Sequence, residues 1–155
     1  MNTMTARALM VGLLIALWAW LTDVARLHLT LWAGVVALGC FYAAGGGVPA
    51  LQKTIVAALS GVVWVLIYHA VRVAIGARGL VGPVLLGALA CALALQSRVP
   101  FLSFTAAAFA GAGVALGLGV NTLNEAIRAG VALAVGAAVG FAAERAAGML
   151  KTRGL

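Results

Sequence analysis

The chain has 155 residues, of which 65% are hydrophobic and 8% charged, and its formal net charge is +7 at pH 7. Soluble domains are about 45–50% apolar and about 25% charged, so this composition excludes a water-exposed globular surface. The excess of Lys and Arg is explained by membrane topology and contact with anionic lipid rather than by nucleic-acid binding. We expect one transmembrane domain, residues 1–155, of the all-α class.

Six apolar stretches approach or exceed the length of a helix that crosses a bilayer, which is about 20 residues. They are predicted at 8–22, 29–44, 54–75, 80–95, 101–119 and 126–143. The first resembles a signal peptide, but Trp18 and Trp20 stand where a cleavage site needs small residues, so we interpret it as a retained helix. Trp18, Trp20, Trp32 and Tyr68 are potential anchors at the membrane surface.

The distribution of basic residues predicts the orientation, because Lys and Arg are retained on the cytoplasmic side. With six spans, one side collects Arg7, Lys53, Arg98, Arg145, Lys151 and Arg153. The other side collects Arg26, Arg72, Arg78 and Arg128. Six basic residues on the side of the termini, against four on the other side, predict a multi-pass protein with both termini in the cytoplasm.

A triple glycine, Gly45, Gly46 and Gly47, follows the second predicted span and precedes Pro49. Such a run favours positive φ and ends a helix. One interpretation is a plain turn between spans. The other is an unwound segment that dips into the membrane, facing water or protein, with Lys53 at the mouth of a pathway.

A second interruption lies between Arg98 and Ser103, where Pro100 is predicted to open the fifth helix. Phe101, Phe104, Ser103 and Thr105 follow it. These side chains either line a narrow passage or pack in the core with their hydroxyls bonded to the preceding turn.

Small residues predict where helices pack closely, and the pairs Gly113–Gly117 and Gly136–Gly140 have the GxxxG spacing of such contacts.

Residues that could bind a metal or carry catalysis are few. Cys40, Cys91, His28 and His69 lack the spacing of a metal site. The acidic residues are Asp23, Glu125 and Glu144, which argues against strongly coupled transport. We expect no enzymatic activity, cofactor or metal.

The order of several motifs resembles the DUF1097 family of small bacterial inner-membrane proteins. The motifs are Leu31-Trp32, the segment from Phe41 to Gly47, Lys53, the sequence Ser60-Gly61-Val62-Val63-Trp64, and later Val99-Pro100 and Phe109-Ala110-Gly111. This resemblance implies a location in the bacterial inner membrane. It implies little about chemistry.

The two halves also resemble each other when Phe41 is aligned with Phe109. Three spans separate the aligned points, so a six-helix bundle could consist of two inverted three-helix repeats.

These features favour a small homo-oligomeric channel or facilitator for a small neutral polar solute, urea- or amide-like. Pro100-Phe101 is similar to the pore segments of urea transporters. The aromatic walls would be Trp32, Phe41, Trp64, Phe101 and Phe104, and the hydrogen-bonding groups Ser60, Ser103, Thr105 and Asn121. The alternatives are a non-transporting scaffold or accessory subunit, and a weakly coupled exporter that uses His69.

Overall fold

The computed structural model describes residues 3–24, 30–76 and 79–152, which form six α-helices and two 3-10 turns and contain no strand. The helices are α1 (Thr3–Val24), α2 (Leu31–Ala43), α3 (Gly47–Ala74), α4 (Val81–Leu95), α5 (Thr105–Gly117) and α6 (Leu123–Thr152). The 3-10 turns Gln96–Arg98 and Pro100–Leu102 separate α4 from α5. The all-α membrane fold with six helices is therefore confirmed. Outside the described part lie Arg26, Arg78 and Arg153, and the side chains of Arg7, Asp23 and Lys151.

Three helical stretches are long and apolar enough to cross a membrane: Gly47–Ala74, Val81–Arg98 and Leu123–Met149. The shorter apolar helices are Ala8–Trp20, Leu31–Ala43 and Thr105–Gly117. At 1.5 Å per residue, the 13 residues of α2 or α5 span about 20 Å, less than the roughly 30 Å of a hydrocarbon core. The six spans predicted from hydropathy therefore differ in length: three are long enough to cross the membrane, and the apolar helices described at the other three are shorter.

Several helix boundaries differ from the sequence prediction. Helix α3 begins at Gly47 rather than at residue 54, with Pro49 in its first turn, where a missing N–H costs nothing. Helix α5 begins at Thr105 rather than at residue 101. Pro100 was predicted to open this helix, and that prediction is wrong, because Pro100 starts a separate 3-10 turn that ends at Leu102.

The two long helices α3 and α6 form the centre and run antiparallel. Gly47, at the start of α3, is bonded to Glu144 near the end of α6, while Leu59 lies against Gly130. Helix α5 packs on α3, and α2 packs on α6. Helix α4 lies against α3, as α1 does against α6. This reciprocal packing is the pattern expected of two inverted repeats, α1–α3 and α4–α6.

The closest helix crossings show the same reciprocity. A Cβ added at Gly136 of α6 would overlap the carbonyl oxygen of Gly34, and one at Gly61 of α3 would overlap that of Ala108. Gly34 is the fourth residue of α2, and Ala108 is the fourth of α5. The crossings therefore align residue 34 with residue 108. This register differs from the alignment of Phe41 with Phe109.

Two expectations about packing residues need correction. Of the predicted GxxxG pairs, Gly136–Gly140 does contact α2, but nothing lies within 4 Å of a Cβ placed at Gly113. The close contact of α5 uses Gly111, which faces Ala58. Trp18 was predicted to anchor at the membrane surface, but it is only 6% exposed because its ring packs over Gly34.

Candidate functional site

A partly buried hydrogen-bonded cluster joins α3 to the end of α4. The indole Nε1 of Trp64 donates to Oε1 of Gln96 at 2.9 Å, and Nε2 of Gln96 donates to Oγ of Ser60 at 3.0 Å. Ser60 donates its own proton to the carbonyl of Ala57 at 2.6 Å. Because the indole can only donate, it determines which end of the Gln96 amide faces it. Each member of this polar cluster is thus paired in a defined direction.

The polar cluster lies at the midpoint of α3, because Ser60 and Trp64 belong to the central turns of that helix. Gln96 is 8% exposed and opens the first 3-10 turn after α4. From there to Phe104 the backbone is not α-helical. Non-helical backbone at membrane depth is tolerated only where it is buried in protein or lines an aqueous cavity. Gln96 therefore lies beside the centre of α3, whereas Pro100 and Phe101 of the second sequence interruption lie against its first turns.

A cavity of about 140 Å³ adjoins the polar cluster. Trp64 forms part of its wall, and the remaining lining comes from Ile67, Tyr68, Val71, Leu85, Ala88, Leu89 and Ala92. Its walls are almost entirely apolar, so they offer few hydrogen-bond partners to water. Small apolar side chains of α4, such as Ala88 and Ala92, leave this space open.

The triple glycine forms the turn between α2 and α3. Gly45, Gly46 and Gly47 all have positive φ, at 95°, 77° and 76°. The N–H of Gly47 donates to Oε2 of Glu144 at 2.7 Å, so a carboxylate from α6 caps the first turn of α3. Of the two interpretations of the triple glycine, the structure supports the plain turn.

Phe41 lies in the core rather than on a passage. It is fully buried, its ring meets Tyr42 and Phe141 edge-on, and it packs against Gly140. The Tyr42 hydroxyl donates to the Gly140 carbonyl at 3.3 Å. An aromatic wall at Phe41 would therefore require the α2–α6 contact to separate.

Lys53 and Phe101 meet at a surface groove of about 240 Å³, together with Pro49, Gln52, Val56 and Pro100. Phe101 is 80% exposed, which places it on the outer surface rather than inside the bundle. Its neighbour Ser103 donates to the Pro100 carbonyl at 2.9 Å, and Thr105 donates to the Ser103 carbonyl at 3.4 Å. These two hydroxyls bond to their own turn, as the alternative interpretation predicted, but the core packing that it also predicted is wrong for Phe101 and Ser103, which are exposed.

The other predicted residues lie apart from one another. Trp32 is 46% exposed and lies near Gly117, and Phe104 precedes α5 and is half-buried. His69 meets Tyr68 edge-on toward the end of α3. The backbone N–H of Asn121 donates to Glu125 at 2.9 Å. Of the predicted set, only Ser60 with Trp64 and Lys53 with Phe101 are brought together at a shared site.

Sequence reasoning missed Gln96 and did not assign a partner to Glu144. Gln96 directly follows the apolar run of α4, and a polar side chain at such a position commonly marks a functional site. Glu144 and Glu125 both cap helices: Glu125 accepts the N–H groups of Asn121 and Thr122 at the start of α6. A carboxylate beside exposed N–H groups of a first turn is stabilised by the helix dipole.

Comparison with known proteins assigns the family. The family model described as "Protein of unknown function (DUF1097)" matches residues 8–148. A curated relative, the inner membrane protein YcdZ of Escherichia coli (strain K12), is 29% identical over 113 residues, which cover 72% of this chain and 68% of that protein. No solved structure matches. The matched region includes all of helices α2 to α5 and most of α1 and α6, and this inner-membrane protein belongs to the DUF1097 family.

Proposed function

We propose that the protein is a small homo-oligomeric facilitator that lets a small neutral polar solute, urea- or amide-like, cross the bacterial inner membrane. The observation that carries this proposal is the partly buried polar cluster of Ser60, Trp64 and Gln96 at the midpoint of α3. Polar groups within the membrane are expensive and are commonly functional. In this cluster a donor and an acceptor side by side on α3 already bind one carboxamide, that of Gln96.

A further feature supports a solute pathway. The short helices α2 and α5 occupy corresponding positions in the two halves, and such pairs of shortened helices are a common mark of transporter binding sites.

The oligomeric part of the proposal rests on α4. This helix presents Gly87, Cys91 and Ala94 outward, and nothing lies within 4 Å of a Cβ placed at Gly87. Small residues on a lipid-facing helix allow another helix to approach closely. Native mass spectrometry of the detergent-solubilised protein tests this: oligomers are expected, and monomers at every protein concentration would contradict it.

The transport proposal is tested by solute entry into proteoliposomes, followed by stopped-flow light scattering with urea, acetamide and glycerol. We expect urea and acetamide to equilibrate faster than in protein-free vesicles, and the double variant Ser60→Ala/Trp64→Phe to lose most of this gain. Ser97→Ala is the matched control, because that hydroxyl bonds only to its own turn at Ala94. Equal rates with and without protein for every solute would overturn the proposal.

A non-transporting scaffold or accessory subunit is the second candidate. The observation in its favour is that three grooves between helices, of about 430, 140 and 200 Å³, are walled almost entirely by apolar side chains. Grooves of this kind accept lipid tails or partner helices. The same vesicle experiment separates the two candidates, since a scaffold leaves solute entry unchanged.

A further inference from the structure

We propose that Ser60 and Trp64 of α3 form an amide-binding slot, and that the side chain of Gln96 fills this slot when no solute is bound. The solute displaces Gln96 during passage. The inference deepens the proposed function, on which its transport consequence rests. It assigns a ligand class, primary amides and ureas, to the two α3 side chains Ser60 and Trp64. The Gln96 side chain, which closes the slot until a solute displaces it, is called the plug.

The hydrogen-bond directions define what the slot accepts. Ser60 donates its proton to the Ala57 carbonyl, which leaves its oxygen available to accept from a ligand, as it accepts from Gln96. Trp64 can only donate. A ligand that satisfies both must carry an acceptor oxygen and an N–H donor on the same planar group, as the oxygen and nitrogen bonded to one carbonyl carbon do. A carboxamide has this arrangement, and urea has it as well.

The slot itself is held rigid. Ser60 and Trp64 stand one helical turn apart in the continuous helix α3. The intervening Gly61 lies against the backbone of α5, so closely that a Cβ there would overlap Ala108. The donor and the acceptor therefore keep their spacing when the plug leaves.

The plug is attached to a segment of a different kind. Gln96 belongs to a 3-10 turn at the end of α4, and Val99 behind it is extended, with φ −87° and ψ 122°. Such turns are frequent connectors at the ends of α-helices, so the plug, unlike the slot, is not part of a continuous helix. A groove of about 140 Å³ with almost entirely apolar walls adjoins the slot at Trp64, and it is the route by which a solute would arrive.

The amide chemistry is tested by chemical rescue, which does not depend on transport. Gln96→Ala removes the plug, and propionamide supplies the lost carboxamide as a free molecule. We expect propionamide to raise the melting temperature of the purified Gln96→Ala protein by about 2–4 °C at saturating concentration. Butanone, which has the carbonyl but no N–H, should have little effect. Gln96→Met, in which an apolar side chain fills the slot, should not respond, and wild type, whose own carboxamide competes for the slot, should respond less than Gln96→Ala.

The rescue should also disappear when the slot is altered. Adding Ser60→Ala and Trp64→Phe to Gln96→Ala is expected to abolish the propionamide shift, whereas adding Ser97→Ala should preserve it. If Gln96→Ala yields no folded protein alone, its recovery with propionamide in the extraction buffer becomes the readout. No shift and no recovery, or equal rescue by butanone, would overturn the inference.

Transport separates this inference from the function on which it rests. In proteoliposomes, Gln96→Ala should pass urea several-fold faster than wild type. Urea entry that is raised by wild type but unchanged by Gln96→Ala, with no rescue, overturns the plug and leaves the facilitator standing. Amide rescue without urea or acetamide entry through either protein supports the slot and overturns the facilitator.

Discussion

The carbonyl oxygen of Gly34 in α2 lies in the space that a Cβ on Gly136 of α6 would occupy. The two helices therefore touch backbone to backbone, which lipid-embedded helices achieve with small residues. The carbonyl of Ala108 in α5 has the same relation to Gly61 in α3. These two crossings hold the short helices of both halves onto the long central pair, and the stability of the bundle should depend on them.

The first prediction concerns these crossings. Gly136→Val and Gly61→Val should each destabilise the protein by about 1–3 kcal/mol or more, because the added side chain overlaps backbone that cannot move away. The matched control is Gly113→Val, since a Cβ there has nothing within 4 Å. Thermal unfolding in detergent measures the difference. Similar melting temperatures for all three variants would show that the crossings are less tight than described.

The second prediction concerns the indole of Trp64. Trp64→Phe removes the donor to the Gln96 carbonyl and leaves that oxygen unpaired in a buried site. The cost should be about 1–3 kcal/mol of unfolding free energy. Trp20→Phe serves as the control for ring size, because Trp20 is 59% exposed. If the two variants unfold at the same temperature, the hydrogen bond contributes nothing to stability.

The third prediction concerns the carboxylate that caps α3. Glu144→Ala leaves the Gly47 N–H without this acceptor and should cost about 1–2 kcal/mol. Glu144→Gln keeps an acceptor oxygen and should recover part of the loss. Arg145 lies over the Phe141 ring at 5.1 Å, so the exposed Ala142, changed to Gln, provides the control in the same helical turn. The capping role is refuted if Glu144→Ala is as stable as Ala142→Gln.

The fourth prediction concerns orientation in the membrane. The contact between Gly47 and Glu144 puts the start of α3 and the end of α6 at one end of the bundle, so Lys53 and Arg145 belong to the same end. Arg72 and Arg128 belong to the other, because the two helices are antiparallel. The positive-inside rule then predicts that the Lys53 end is cytoplasmic.

Cysteine labelling in whole cells measures this orientation. In a background of Cys40→Ser and Cys91→Ser, a single Gln52→Cys should resist a membrane-impermeant maleimide until the cells are opened. Asn124→Cys, at the other end of the bundle, should react in intact cells. Both native positions are exposed. The reverse pattern would place the termini outside the cytoplasm.

The helices were predictable because each depends on its own segment. A run such as residues 54–75 is apolar on all sides, and backbone groups in lipid must bond within the segment, so a helix follows. The exact ends were less predictable. Helix α3 extends back to Gly47 because a partner in α6 satisfies its first turn, and a window of hydropathy contains no information about such a partner.

The candidate site was predictable only in part. Ser60 and Trp64 are one turn apart in one helix, so their shared face follows from sequence spacing. Phe41, Phe101 and Ser103 were grouped with them because of their residue types, and the structure separates them. Phe41 of α2 is buried against Phe141 of α6, and Phe101 lies on the outer surface. Aromatic rings serve equally well in a core, at a lipid surface or along a passage, so residue type alone cannot assign the place.

The amino-acid sequence by itself determined the solvent and the class of structure, because a chain that is 65% hydrophobic has no surface to offer water and must satisfy its backbone within helices. The tertiary structure alone decided which polar groups meet. Gln96 bonds to residues 32 and 36 positions away, and Glu144 caps a helix 97 positions away. Such pairs form where glycines such as Gly61 and Gly136 let two helices cross closely. The position of a crossing depends on the surfaces of both helices, so the sequence of one helix does not determine it.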